Sequence, residues 1–372
     1  MLNKIKWFWR YYRKYPYVLL VLVVLTPVQT SLQVSVPRMI EFMVDYVKTL
    51  EVSTAVGSNP VAIKLSEFGQ SLGLSIAATF TISLMLIGLS ASSLYAFVQS
   101  HRAWMNLKLE WLFRQDAFDR ITLKGPDFFN KFRTGDIVTR LTDDVAEKLS
   151  WFACSGIFRL YEACLMVTFS IVMMLTINPT LTLWAAGPLP VLIVIFFFSS
   201  SRLDKRYETL QKRISDFNDL MEACFSGIRV VKAYVRESAQ KHQFARVIEK
   251  RRQAEISTVK AQTVVESCYF YIWQFGILIV VLTGGYMAIN ARLSSGQLLA
   301  FIYYVIYMIF PMFDIGQFLV KSRQSAVSIN RLLELEKFPT LVNNEGDYSP
   351  DGEIKGNLQF DNVSFKFPEL KN

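Results

Sequence analysis

Six apolar stretches, each long enough to cross a bilayer, alternate with charged segments along the chain. A hydrocarbon core about 30 Å thick takes roughly 20 residues of apolar helix. The pattern predicts spans at about Tyr17–Val44, Leu72–Val98, Trp151–Ile177, Leu181–Ser199, Val264–Ile289 and Leu298–Val320. Pro27 and Pro37 are expected to kink the first. Only Asn178, Pro179 and Thr180 separate the third from the fourth. A cleavable signal peptide does not fit the first stretch. Its apolar run continues past Pro27, and no small-x-small cleavage site follows.

The charged segments between the spans are not loop-like. Residues 101–122 place Leu107, Leu109, Leu112, Phe113, Ala117 and Ile121 among charges, and residues 202–222 and 238–262 are almost free of Gly and Pro. This is helical material continuing out of the membrane. About 25 residues at 1.5 Å each would project roughly 38 Å. Each link has one interruption, Gly125-Pro126-Asp127 in the first and Ser226-Gly227 in the second. The expected form is helix outward, short turn element, helix back. On the other side the links are short, except for a longer loop expected over residues 45–71.

Composition sharpens this picture. Of 372 residues, 52% are hydrophobic and 19% charged, and the mean hydropathy is +0.28. Soluble domains sit near 45–50% apolar and about 25% charged. Disorder, collagen and small disulfide scaffolds are excluded. The net charge of +9 gains meaning from its distribution. Residues 1–16, 98–150, 200–262 and 321–372 hold 35 of the 40 Lys and Arg. The opposite side keeps Lys48, Lys64 and Arg292, with Arg38 near the end of span one. Positive charge gathers on cytoplasmic loops, so both termini are predicted to be cytoplasmic in a multi-pass membrane protein. No nucleic-acid partner is needed to explain the charge. Residues 1–16 mix five cations with aromatic rings, which predicts a short helix lying on the cytoplasmic leaflet. Cys154, Cys164, Cys224 and Cys268 form no C-x-x-C pair and lie far in sequence from the two histidines, so free thiols and no metal site are expected.

Four segments carry a family resemblance. The stretch Pro126-Asp-Phe-Phe-Asn-Lys-Phe-Arg-Thr-Gly-Asp-Ile-Val-Thr-Arg-Leu-Thr-Asp-Asp-Val145 resembles the first intracellular signature of ABC exporters. Ser226-Gly-Ile-Arg-Val-Val-Lys-Ala-Tyr-Val-Arg-Glu237 resembles the second. Ser295-Gly-Gln-Leu-Leu-Ala-Phe301 followed by Pro311, and Ser328-Ile-Asn-Arg-Leu-Leu-Glu-Leu335, are similar to the sixth span and its cytoplasmic end in that family. The resemblance implies an all-α membrane protein. It would have six transmembrane helices, long cytoplasmic extensions and two coupling helices that seat on ATPase domains. Carried over, the coupling elements fall near Pro126–Arg133 and Gly227–Glu237, with Phe128, Phe129, Arg133, Arg229 and Tyr234 as coupling candidates. A second half-transporter, nucleotide-binding domains and membrane lipid are the implied partners.

After Leu335 the composition changes. Residues 1–16 are read as the interfacial helix, 17–337 as the transmembrane domain, 338–356 as a Pro- and Gly-containing linker, and 357–372 as a β-strand fragment opening a nucleotide-binding domain. Leu358, Phe360, Val363, Phe365 and Phe367 form its apolar pattern. In the resembled family an aromatic ring before such a Pro stacks on adenine, which makes Phe367 the cofactor-binding candidate, either in that role or as an ordinary strand aromatic. No G-x-x-x-x-G-K-[ST] loop occurs. ATP and Mg2+ are therefore expected to act through a nucleotide-binding domain not contained in this sequence, and no catalytic residue is assigned.

Ionisable groups inside spans cost about 2.5–3.5 kcal/mol each at a helix centre on insertion scales. Arg159 and Glu162 are one turn apart on span three, so they are expected either to pair or to contact substrate. Asp314 has no partner within its own helix; it would face a cavity or bridge to a base on another span. Trp273, Tyr303 and Tyr307 belong to an aromatic-rich pair of spans. Such rings suit a cavity for a small apolar or cationic substrate, or lipid-facing packing. The leading function is the membrane half of an ATP-driven exporter. The second reading is a non-enzymatic membrane subunit that binds substrate or regulates a full-length partner.

Overall fold

The computed structural model describes residues 8–49, 60–339, 356 and 358–364. Among those residues the regular structure is all helical, with no strand. In chain order the main helices are α1 (Pro16–Lys48), α2 (Pro60–Ser71), α3 (Ile76–Thr122), α4 (Pro126–Lys131), α5 (Thr134–Ile177) and α6 (Pro179–Ala186). They continue as α7 (Pro188–Ser226), α8 (Ile228–Ala233), α9 (Glu237–Ile289), α10 (Ser295–Tyr307) and α11 (Ile309–Lys337). Helices α1, α3, α5, α9 and the run Ser295–Leu319 are long and apolar enough to cross a membrane. The predicted fourth span falls on α6 and the start of α7, parted at Gly187. The predicted external loop over 45–71 contains α2. Residues 358–364 hold no strand, and Leu358, Phe360 and Val363 are exposed.

Local chemistry fixes the helix ends. Pro126, Pro179 and Pro188 open their helices, where a missing N–H costs nothing. Asn178 caps α6 by accepting the Leu181 N–H at 3.0 Å. Ser294 and Gln297 form a reciprocal capping box at α10, with both bonds 2.9 Å. That device stabilises a helix start by about 1 kcal/mol. Three turns end on paired backward hydrogen bonds that demand a left-handed residue. Gly73 supplies it after α2, but Val235 (φ 52°) and Ala291 (φ 55°) do so after α8 and α9. For a β-branched residue this backbone is strained.

The bundle inverts a soluble core. Leu86, Leu89, Leu183, Phe275 and Leu282 are exposed on α3, α6 and α9, whereas Thr26, Gln29, Thr30, Ser170 and Thr182 are buried between helices. One apolar core joins α3, α5 and the end of α11 through Met105, Leu109, Val145, Leu149 and Leu332. Another joins α5, α6, α9 and α10 through Met174, Leu181, Val280, Phe301 and Tyr304. Residues 8–12 form a helical turn that docks on the first core. Phe8 and Tyr11 pack edge-on against Phe113 at 6.1 and 4.8 Å, and Tyr11 Oη donates to Asp116 at 2.6 Å. Burial, reinforced by Asp116, holds the Tyr11 phenol well above its ordinary pKa, so it stays a donor. The aromatic residues expected in the headgroup layer thus divide: Phe8, Tyr11 and Tyr12 are buried in protein, and Trp9 is exposed.

Candidate functional site

A cavity of about 450 Å3 opens between α1, α3, α5, α10 and α11. Thr30 and Gln33 reach it from α1, Tyr95, Gln99 and Arg102 from α3, and Arg159 and Glu162 from α5. Tyr307, Phe310 and Asp314 close it from α10 and α11. Its four charges balance in two ion pairs of different character. Arg102 meets Glu162 at 2.8 Å, with side chains only 7% and 20% exposed. Arg159 meets Asp314 at 3.6 Å, with side chains 49% and 31% exposed. The first pair is tight and sheltered; the second is loose and wet.

This corrects the expected pairing of Arg159 with Glu162. Although one turn apart, each finds a closer complementary charge on a neighbouring helix. Of the residues predicted to line a cavity, Asp314, Tyr307, Arg159 and Glu162 converge here. Trp273 instead packs against Phe270 and the outer core, and Tyr303 is not among the lining residues. Arg102, Gln99, Gln33, Thr30 and Tyr95 were not singled out by the sequence. A signal existed on α1, where Thr26, Gln29, Thr30 and Gln33 repeat at helical spacing inside an apolar run. Among the described residues, no three His, Cys, Asp or Glu side chains gather as metal ligands would. Phe367 lies outside the described residues.

Two of the signature motifs meet in space. Asp136 and Arg140, near the start of α5, face Arg331 and Glu334 at the end of α11. Arg140 bonds Asp136 at 2.8 Å and Glu334 at 3.0 Å, while Arg331 bonds Asp136 at 2.7 Å and Asp144 at 2.6 Å. Asp144, only 4% exposed at its side chain, also accepts from Ser328 at 3.1 Å and Lys148 at 2.7 Å. Arg140, ahead of the opposing effect of burial, and Arg331 hold the Asp136 carboxyl below its ordinary pKa. Below this network α4 is anchored by Phe128, which is fully buried against Phe132 and Phe338 at ring distances of 4.9 and 5.5 Å. Phe129 and Arg133 point outward. On α8 nothing is buried, and Arg229 and Tyr234 are exposed.

A family model described as "ABC transporter transmembrane region" matches residues 18–312. "Probable multidrug resistance ABC transporter ATP-binding/permease protein YheI" of Bacillus subtilis is 26% identical over 78% of this chain and 49% of its own length. "Multidrug resistance-like ATP-binding protein MdlA" of Escherichia coli is 24% identical over 69% of this chain and 43% of its own length. "Uncharacterized ABC transporter ATP-binding protein YwjA" of Bacillus subtilis is 25% identical over 82% and 52%. The chain spans about half the length of these curated relatives. With the family match covering most of its length and its apolar helices long enough to cross a membrane, the chain belongs to the ABC transporter transmembrane-region family.

Proposed function

We propose that this chain is the membrane-spanning half of an ATP-driven exporter of small apolar or cationic compounds. Six spans, with both termini in the cytoplasm of a plasma membrane, carry the substrate path. Two such halves pair, as homodimer or heterodimer. Nucleotide-binding domains using ATP and Mg2+ engage α4 and α8, and their closure is passed to the spans through Asp136, Arg140 and α11. The observation that carries the reading is the cavity, whose wet Arg159–Asp314 pair stands beside Tyr95, Tyr307 and Phe310 within a transporter-family bundle. The names of YheI and MdlA, which mention multidrug resistance, support the substrate class.

In this arrangement Asp314 attracts a cation while the rings accept its apolar body. Arg102–Glu162 keeps the cavity wall in place. In the full-length protein, Asp314→Asn leaves Arg159 uncompensated and makes the cavity net positive. Efflux of a cationic dye should fall roughly tenfold relative to a neutral dye, equivalent to about 1.4 kcal/mol. Arg159→Gln should shift the ratio the other way. Unchanged ratios in both variants, at matched membrane abundance, would remove the cavity from the substrate path.

A further inference from the structure

The seam between α7 and α9 carries two features separate from the cavity described above. At its cytoplasmic end lies a pocket of about 440 Å3. Arg202, Arg206 and Lys260 line it together with Ser199 and Ser257, and no carboxylate is among its lining residues. Arg206 is steadied by donating to the Ser257 carbonyl at 3.3 Å and to the Ser257 hydroxyl. Arg202 and Lys260 are exposed and make no ion pair among the described residues. Three cations on one concave wall repel one another unless an anion sits between them.

Deeper along the same seam is an apolar recess of about 680 Å3, walled by Trp184, Val191, Tyr271, Phe275 and Ile279. Along α9 the recess lies about 16 Å (Tyr271) to about 28 Å (Ile279) from Lys260, at 1.5 Å per residue. Its near edge is therefore close to the middle of a hydrocarbon core about 30 Å thick, where an extended acyl chain of the same leaflet ends. The basic end coincides with the points where the predicted fourth and fifth spans, Leu181–Ser199 and Val264–Ile289, give way to charged helix. The seam is therefore cationic at headgroup depth and apolar at acyl-chain depth.

We propose that this seam binds one anionic phospholipid of the cytoplasmic leaflet, with its phosphate among Arg202, Arg206 and Lys260 and an acyl chain in the apolar recess. The assignment rests on the span placement proposed above. Basic pockets between spans on the cytoplasmic side suit anionic headgroups. A zwitterionic lipid brings its own ammonium, which the three cations repel. A free phosphate satisfies the basic end alone and leaves the recess unused.

The test uses full-length protein in nanodiscs of mixed phosphatidylcholine and phosphatidylglycerol, with retained lipid read by native mass spectrometry. Wild type should retain phosphatidylglycerol preferentially. The double variant Arg202→Gln/Lys260→Gln should lose roughly twenty-fivefold of that preference, about fivefold per cation removed near the surface. Arg202→Lys/Lys260→Arg should keep it. Lys250→Gln, which removes an exposed cation farther out on α9, should leave it unchanged. Equal preference in the double Gln variant and wild type overturns the lipid site. Displacement of the lipid by inorganic phosphate as readily as by added phosphatidylglycerol overturns it in favour of a free-anion site. A separate arm places a single cysteine at Lys205 in a cysteine-free background. Its labelling by an impermeant reagent outside intact cells overturns the membrane placement and the lipid site together. Internal placement without lipid discrimination overturns only the lipid site.

Discussion

The two helical arms that carry α4 and α8 share one plan and differ in how they are satisfied. In the first, α3 and α5 flank α4, and the end of α11 lies against them. Phe128, Phe132, Ile137 and Leu335 form a closed apolar cluster there, and the Asp136–Arg140–Arg331–Asp144 network sits beside it. In the second, the extensions of α7 and α9 pack chiefly on each other, Thr258 is the one buried residue among 202–262, and α8 buries nothing. The same helix–turn–helix pattern thus yields a rigid joint where a third helix is present and an open tip where none is. Similar sequence layout does not imply similar local stability.

Truncating one aromatic residue at each short helix, Phe128 on α4 and Tyr234 just after α8, puts the largest strain on this contrast. Phe128→Ala should cost about 3–5 kcal/mol, because a buried ring leaves a cavity. Tyr234→Ala should stay within about 0.5 kcal/mol, as exposed substitutions usually do. Thermal unfolding in detergent, with hydrogen exchange resolved over each arm, checks both; equal losses would erase the distinction. Arg331→Ala comes next. It withdraws a partner from Asp144, and losing one side of a sheltered charged contact costs about 1–3 kcal/mol. Hydrogen-exchange protection should drop over 134–150 and not over 226–240.

Smaller effects refine the comparison. Val235→Gly relieves a left-handed β-branched residue at the tip of the second arm and should stabilise that turn by about 1 kcal/mol. Slower exchange of the Arg236 amide, which donates to the Val231 carbonyl at 3.0 Å, is the readout. Acid supplies the mildest test. Asp136 is held below its ordinary pKa of 3.8, so its contribution is present above that value and lost as pH falls through the lowered folded one. Exchange over 134–140 should speed up in that acid window in wild type, and the Asp136-linked part of the change should vanish in Asp136→Asn.

Hydropathy and charge located the long helices because apolar length and flanking cations are one-dimensional properties. The breaks at Gly125 and Gly227 were visible for the same reason, since Gly and Pro act locally. The cavity was only half legible. Asp314 and Arg159 stand out as charges in apolar runs, but their pairing depends on how α5 and α11 lie together. Arg102 was hidden because it sits where α3 leaves the apolar stretch, among charges that look solvated. Helix α2 was missed because residues 60–71 carry a modest helical pattern inside a connection read as loop. Phe8, Tyr11 and Tyr12 suit a membrane surface by type, yet the nearby face of α3 and α5 offers Phe113, Phe152 and the Ala153 carbonyl.

At the opposite end of the molecule, Gly296 touches α1 with no space to spare. A Cβ there would lie 2.4 Å from the Glu41 carbonyl and 2.7 Å from the Asp45 carboxyl carbon. Asp45 accepts the Gly296 N–H at 2.8 Å and bonds Ser294, while Lys48 donates to Ser295 at 3.0 Å. Kinematically, the outer ends of α1 and α10 are one lever. Separating them breaks every one of these bonds and strands a carboxylate against a helix start. Swinging them together leaves those bonds intact. The one-residue break at Met308, where α10 passes to α11, then becomes a joint below the clamp, so displacement at the far end of α11 reaches this end as rotation of a fixed pair.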